Sequence, residues 1–243
     1  MAITSHPTDG GVVLTIDRQA RRNALNLAAL EELDAAVTAA EEAGARTLVL
    51  TGAEGHFCAG ADLTELEDVA FTERLAEVLA HLAHLPLVTI AAIEGSCMGL
   101  GMQLAVACDV RVVADSARFA IPVARLGLMV DHWTIDRATR LFGEGATRHM
   151  VLTGAVLDAE DAWRLGFAQV RGGLDEALAL AGRAAALAPL TQAGSKIGFE
   201  ARAERVGDPQ AYRDAFHRAW ASEDLAEGQR AFAERRAPLF EGR

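Results

Sequence analysis

Lysine is nearly missing from this chain: of 23 basic residues, one (Lys196) is lysine and the other 22 are arginine. Basic charge as a whole is in the minority, with 34 acidic residues and a formal net charge of -11. Duplex nucleic acid is bound by replacing its counterions with Lys and Arg, so this balance excludes nucleic acid as the expected partner. An anionic small ligand is not excluded, because a net charge averages over the whole surface. Cysteine is scarce as well. Cys58, Cys97 and Cys108 can complete no disulfide framework and show no Cys-x-x-Cys spacing, so no metal site is expected. Long apolar runs are absent too. The best candidate, Leu85 to Ile93, is interrupted by Pro86 and Thr89 and falls far short of the roughly 20 residues a membrane helix needs. The first residues, Met-Ala-Ile-Thr-Ser-His-Pro, carry neither a basic region nor an apolar stretch. No signal peptide and a cytoplasmic location are therefore expected.

What is present is ordinary globular material. Apolar residues make up 51% of the 243 positions and charged residues 23%, enough for one large domain or two small ones with a sizeable core. Strand-like and helix-like segments alternate along the first two-thirds. Gly11–Ile16, Thr47–Thr51, Val88–Ile93, Val110–Ala114 and Ala117–Ile121 read as strands. Asn26–Ala43, with Leu30, Leu33 and Val37 at helical spacing before Gly44, reads as a helix, as do Thr64–Leu85 and the stretch beginning Gly101–Cys108. Strands separated by helices imply an α/β architecture. From Trp163 onward the pattern is helical: Leu174–Leu187 is Ala/Leu-rich. Pro209–Arg236 carries Tyr212, Phe216, Trp220, Leu225 and Phe232 at packing intervals. A break at Ala188-Pro189 divides a core, residues 1–187, from a C-terminal helical region, 188–243.

Two glycine-rich turns carry the chemistry. Gly55-His-Phe-Cys-Ala-Gly60-Ala-Asp-Leu63 follows one strand, and Gly95-Ser-Cys-Met-Gly99-Leu-Gly101-Met-Gln-Leu follows another and opens a helix. Two such strand-to-helix turns can present backbone N–H donors to one oxygen. Either alone reads equally well as a tight turn. In this order, and with Arg21-Arg-Asn-Ala-Leu-Asn26 upstream, the chain resembles the crotonase (enoyl-CoA hydratase/isomerase) superfamily. The likeness continues through Cys108–Ala114, Ala117–Pro122, Leu152-Thr-Gly154, Ala162–Val170, Ser222-Glu-Asp224 with Glu227-Gly228, and Ala231–Phe240.

The resemblance implies an α/β spiral of ββα units whose helical C-terminal region builds a homotrimer or hexamer. It implies an acyl-CoA ligand, with coenzyme A entering as part of a thioester and no permanently bound cofactor. Ala24, Leu25, Ala59 and Asp62 would hold the adenine end. Arg21 and Arg22 would stand where a phosphate is neutralised, as guanidinium groups do bidentately; Arg125 is a further candidate. Without the motif these arginines read as solvated charge. The N–H groups of Ala61 and Leu100 would grip the thioester carbonyl as an oxyanion hole. The family's Gly-Gly-Gly run is here Gly99-Leu-Gly101, so the leucine side chain must find room.

The chain departs from the hydratase pattern where a proton has to move. Hydratases of the family place one glutamate in the helix after the glycine run and another after the Phe-x-x-Pro strand end. Here those positions are Gln103 and Val123. Glutamine orients a water but carries no proton at neutral pH, and each positioned acid or base is worth ~10²–10⁴-fold in rate. Asp131 aligns with the aspartate of dienoyl-CoA isomerases. It reads as a helix cap or a polar point of the pocket ahead of a lone base. His132 adjoins it but points elsewhere. His56 is expected to be exposed, and His81 and His84 to face solvent or a neighbouring subunit. Glu65, Glu67 and Asp68 look like the acidic first turn of a helix, and Thr64 cannot replace the lysine some members place there. Three functions follow: an acyl-CoA-binding protein with little hydratase activity, an active hydratase or an isomerase using Asp131, or a scaffold of lipid metabolism. The first allows a lipid-synthesis enzyme as partner.

Overall fold

The computed structural model describes residues 1–64, 69–204, 217 and 220–238. A hairpin opens the chain: β1 (Ile3–Thr8) and β2 (Gly11–Ile16) pair antiparallel across Asp9-Gly10. Gly10 takes a φ of 81°, the conformation for which glycine is favoured in such turns. Helix α1 (Leu27–Glu42) is capped by Asn26, whose Oδ1 accepts from Ala29 N–H at 3.0 Å. The expected stripe of Leu30, Leu33 and Val37 is buried. Strand β3 (Thr47–Gly52), helix α2 (Val69–His84) and strand β4 (Val88–Ile93) follow, then short strand β5 (Ser96–Met98) and helix α3 (Leu100–Ala107).

The pattern of one long and one short strand repeats in β6 (Val110–Val113) and β7 (Arg118–Ala120). Beyond them lie α4 (His132–Phe142), α5 (Glu144–Thr153), β8 (Leu157–Asp158), α6 (Ala159–Arg164), β9 (Val170–Arg171), α7 (Leu174–Ala185), α8 (Pro189–Glu204) and α9 (Glu223–Glu234). The long strands, with the two-residue β9 at one edge, form a six-stranded sheet in the order β1-β2-β3-β4-β6-β9, parallel from β2 onward. The short ones form a second sheet, β5-β7-β8. An isolated parallel bridge between Cys58 and Cys97 extends that second sheet by one residue of the preceding turn. Each turn of the spiral thus gives one strand to each sheet before its helix crosses over.

Helix α3 is the centre of the molecule. All eight of its residues are buried, and all but Gln103 are apolar, as suits a helix enclosed on every side. Its C-terminal carbonyls are gathered by Arg111, 3% exposed, which donates to Ala105 O at 3.3 Å and Cys108 O at 2.9 Å. The C-terminal region is tied to this core. Lys196 donates to Leu87 O at 2.9 Å and to Asp109 Oδ2 at 2.7 Å, and Arg137 pairs with Glu200 at 2.6 Å.

The sequence reading omits four short or edge strands, β1, β5, β8 and β9. β9 is two residues long, too short to show a period, and β1 is a polar edge strand exposed along Ser5–Thr8. Within Pro209–Arg236, helix α9 begins at Glu223 behind Ser222, whose Oγ accepts from Leu225 N–H at 3.2 Å. Pro209, Tyr212 and Phe216, like Phe240, Glu65, Glu67 and Asp68, lie outside the described residues.

Candidate functional site

The two glycine turns come together because the chain straps one to the other. Phe57 N–H donates to Glu94 O at 2.8 Å, Cys58 N–H to Ser96 O at 2.8 Å, and Met98 N–H to Cys58 O at 2.9 Å. Both turns need glycine for closeness as much as for dihedral freedom. Gly60 has a φ of 119° and Gly99 one of 51°. A Cβ on Gly101 would meet Cys58 O at 2.3 Å, so the first turn of α3 rests directly on the backbone of the first loop.

This packing sets the two amides. Ala61 forms an isolated parallel bridge with Leu25, through Leu25 N–H to Gly60 O at 2.9 Å and Asp62 N–H to Leu25 O at 2.8 Å. In such a ladder the N–H of the middle residue points away from the partner strand, which turns that of Ala61 from Leu25. Leu100 is the first residue of α3, where N–H groups have no intrahelical acceptor. Neither N–H donates to another group among the described residues. Both residues line one cavity of about 320 Å³. The Leu100 side chain has found its room, 3% exposed in the core. An acceptor reaching both amides would be met by two backbone donors at the positive end of a helix, an arrangement suited to developing negative charge.

The cavity walls are mostly apolar: Phe71, Leu75 and Leu79 from α2, Leu128 and Met129 from the loop before α4, and Trp220 from the C-terminal region. Trp220 Nε1 donates to Met129 O at 3.3 Å. Gln103, Val123, Asp131 and His132 face the same space. Gln103 is buried, and its Nε2 donates to Thr134 Oγ1 at 2.8 Å. Asp131 caps α4, its Oδ1 accepting from Thr134 N–H at 3.0 Å, and so meets the cap and pocket-polarity expectations together. Val123 begins a single 3-10 turn, Val123–Arg125, and packs against the core. Arg125 stands against Gly154 and is not part of the cavity wall.

On the far side of the Ala61 loop, the 18–25 segment folds against it. Ala59 N–H donates to Arg22 O at 3.0 Å. Ala24 and Leu25 are buried, while Arg21 and Arg22 are exposed. Asp62 is only 4% exposed, and Arg18 Nη2 reaches its Oδ2 at 3.2 Å with Arg21 Nε at 3.8 Å. Burial alone would raise the Asp62 carboxyl. The Thr64 hydroxyl and N–H, with Arg21 and Arg18, outweigh it and hold the group below the usual aspartate value. Thr64 is therefore part of a carboxylate turn, its Oγ1 donating to Asp62 Oδ1 at 2.7 Å.

Sequence reasoning missed two residues here. Arg18 also donates to Ala24 O at 2.5 Å. Asn23, fully buried at a φ of 63°, donates to Ala53 O at 2.8 Å and His56 O at 2.6 Å and accepts from Arg18 N–H at 2.9 Å. The signal for Asn23 was its place inside Arg-x-Asn-Ala-Leu, where an asparagine tolerates positive φ. Expectations for His56 and His81 need correcting. His56 is half-buried, its Nδ1 accepting from Ser96 N–H at 3.2 Å, because residues 53–57 fold back onto the start of β5. His81 joins α2 to α1, with Nδ1 at 2.6 Å from Asp34 Oδ1; His84 is exposed. All three cysteines are buried. That burial pushes the thiols of Cys58 and Cys108 up to about 12, and that of Cys97 up as well, so none is a nucleophile. No cluster suited to a metal ion occurs among the described residues, and no helix among them is long and apolar enough to cross a membrane.

Comparison with known proteins places these features in a wider set. The sequence model of the enoyl-CoA hydratase/isomerase family matches residues 8–243. A probable enoyl-CoA hydratase of Mycobacterium bovis is 41% identical over 239 residues, covering 97% of this chain and 98% of its own length. Among solved structures, a methylmalonyl-CoA decarboxylase in complex with 2-nitronate-propionyl-CoA superposes with a TM-score of 0.92 at 22% identity, over 100% of this chain and 99% of its own. An enoyl-CoA hydratase from Mycobacterium avium subsp. paratuberculosis K-10 gives 0.88 at 23%, over 99% of both. At those identities the structural likeness shows the fold, a crotonase-type α/β architecture.

Proposed function

The chain belongs to the enoyl-CoA hydratase/isomerase family, and from that membership we propose that it binds a fatty acyl-CoA thioester while hydrating it poorly. The thioester oxygen sits between the Ala61 and Leu100 amides, an oxyanion hole, with the acyl group in the apolar cavity. The observation that carries this reading is the pair Gln103 and Val123 in the cavity wall. An amide and an isopropyl group stand where water would have to lose a proton and carbon gain one. Asp131 is the remaining carboxylate of the wall near α4, and one of its oxygens is engaged as a cap. Loss of two positioned acid–base groups removes ~10²–10⁴-fold in rate each, while binding and polarisation persist.

The adenine end of coenzyme A lies along Ala24, Leu25, Ala59 and Asp62, with Arg21 and Arg22 at its phosphates; their exposure supports this placement. The complex with a propionyl-CoA analogue in a chain of the same fold supports the ligand class. Calorimetry with octanoyl-CoA tests the reading directly: measurable binding is expected, and no heat at any acyl length refutes it. A second reading, isomerisation with Asp131 as lone base, is favoured by the position of Asp131 on the cavity wall. Enoyl-CoA turnover abolished in Asp131→Asn supports it; turnover unaffected by that change removes it. Assembly into trimers or hexamers is supported by Leu190, Ile197 and Phe199, at 87%, 71% and 70% exposure on α8. Light scattering at the mass of one chain would refute it.

A further inference from the structure

The end of α3 remote from the cavity collects three cations. Arg111 Nη1 donates to Ala105 O at 3.3 Å and to Cys108 O at 2.9 Å, and Arg137 Nε donates to Val106 O at 2.9 Å. Lys196 Nζ reaches Asp109 Oδ2, just beyond the helix, at 2.7 Å. Two of the three are neutralised: Glu200 stands 2.6 Å from Arg137, and Asp109 is itself the partner of Lys196. Arg111 is different. Its remaining donors go to Phe167 O at 2.8 Å and Asp109 O at 3.2 Å, so its hydrogen-bond partners among the described residues are all carbonyls. The guanidinium is 3% exposed and lies 5.1 Å from the centre of the Phe167 ring. Burial pulls it down to about 10, which leaves it ionised at neutral pH. A neutral amide could cap the same carbonyls without the cost of a buried charge that has no counter-ion.

What the charge faces is the length of α3. The carbonyl end of a helix is its negative end, and a cation there cancels that end while leaving the positive end at Leu100. The helix has eight residues, all buried and all apolar except Gln103, so its ends are about 12 Å apart. No water and one polar side chain lie along that path to screen the field. At an effective dielectric of ~20, a charge ~15 Å away favours a full negative charge on an oxygen at the Leu100 amide by roughly sixfold. The gain shrinks with the charge on that oxygen, so a neutral carbonyl feels little of it. Arg111 therefore acts on polarisation ahead of simple binding.

We propose that Arg111 is a positioning residue that works through α3, its uncompensated charge strengthening the pull of the Leu100 amide on the oxygen of a bound thioester; this rests on the oxyanion-hole reading above. The test is the absorbance of 4-(dimethylamino)cinnamoyl-CoA bound to the whole protein. On absorbing light this chromophore moves electron density from its amine onto the thioester oxygen, so a positive potential at that oxygen shifts the band to longer wavelength. A red shift is expected in the unmodified protein. It should shrink in Arg111→Met and return in Arg111→Lys, which keeps the charge and loses the fork. In Glu200→Gln, which leaves Arg137 without its carboxylate at Val106 O, the shift should grow, an increase that a purely structural role for these residues does not give. Thermal melts show which variants are folded, and if Arg111→Met is not, Glu200→Gln decides alone. An unmoved band in folded Arg111→Met, or in Glu200→Gln, overturns the assignment while leaving thioester binding intact. A bound chromophore with no red shift in the unmodified protein overturns the oxyanion hole, and failure to bind overturns the acyl-thioester reading itself.

Discussion

Replacing Gly101 by alanine puts the proposed site geometry to a direct test. The added Cβ would lie 2.3 Å from Cys58 O and 2.9 Å from Cys58 Cβ, distances at which something has to move. Neither neighbour is the end of a flexible side chain. Cys58 is held by its own N–H to Ser96 O at 2.8 Å and by Met98 N–H to its O at 2.9 Å, and α3 is buried on all sides. Overpacking of this kind costs ~1–3 kcal/mol, which for a chain of this size lowers Tm by about 2–4 °C per kcal/mol. The relaxation that relieves the clash must also part Leu100 from the Ala61 loop. Loss of one oxyanion donor costs about 2.7–4 kcal/mol of transition-state stabilisation in enzymes, and a fraction of that in ground-state affinity. Gly101→Ala should therefore melt several degrees lower and bind acyl-CoA at least tenfold more weakly. Gly145→Ala is the control: a Cβ there meets nothing within 4 Å on helix α5, and the change should be neutral or slightly stabilising. A Gly101→Ala protein with unaltered Tm and affinity would refute the claim that the two turns touch.

Other expectations follow from the same contacts. Restoring Gln103→Glu and Val123→Glu together should raise crotonyl-CoA hydration by ~10²-fold or more; absence of any gain would place the block in Leu100 or pocket shape. Replacing Arg21 and Arg22 by Ala should weaken CoA-thioester binding by roughly fivefold, at about 0.5 kcal/mol per exposed contact. Unchanged affinity would refute the local-charge account. Asp34 holds α2 against α1: burial raises its carboxyl, but hydrogen bonds from His81 and Arg74 pull it further down, below the ordinary value. A depressed carboxyl stabilises the fold above the unfolded-state pKa and loses that contribution as pH falls through the folded-state value. The urea midpoint of Asp34→Asn should then lie below that of the unmodified protein at neutral pH and converge with it below about pH 4.

The longer elements were legible because burial imposes a period. α1 differs from its sequence reading by one residue at each end, and β4 coincides with it, since a strand covered on both faces reads as an uninterrupted apolar run. β9 and β8 were not legible, because two residues carry no periodicity. The site was legible as residue types at fixed spacings: Gly60, Gly99 and Gly101 pointed to tight turns, and Gln103 and Val123 stood out against the family pattern. Partners across the chain were not. Nothing local in the sequence says that Arg18 reaches Asp62, 44 residues on, or that Asn23 holds Ala53 and His56. Such pairings come from the spiral, which brings one turn of the chain under the next.

The seating of α3 also divides the molecule by how readily it opens. Its eight residues are enclosed, and Arg111 pins its far end. The amides of its later residues, from Gln103 onward, can then reach solvent only when the whole fold comes apart, and hydrogen exchange there should report global stability. The opposite wall is of another kind: α2, where Glu73, Ala76 and Glu77 are exposed, with His217 and Trp220 beside it. On the acyl-thioester reading, the ligand would reach the apolar cavity from the more exposed α2 side. On the same reading, binding kinetics should be set by sub-global opening of the α2 side, with the proposed donor amides of Ala61 and Leu100 held in place by the seating of α3.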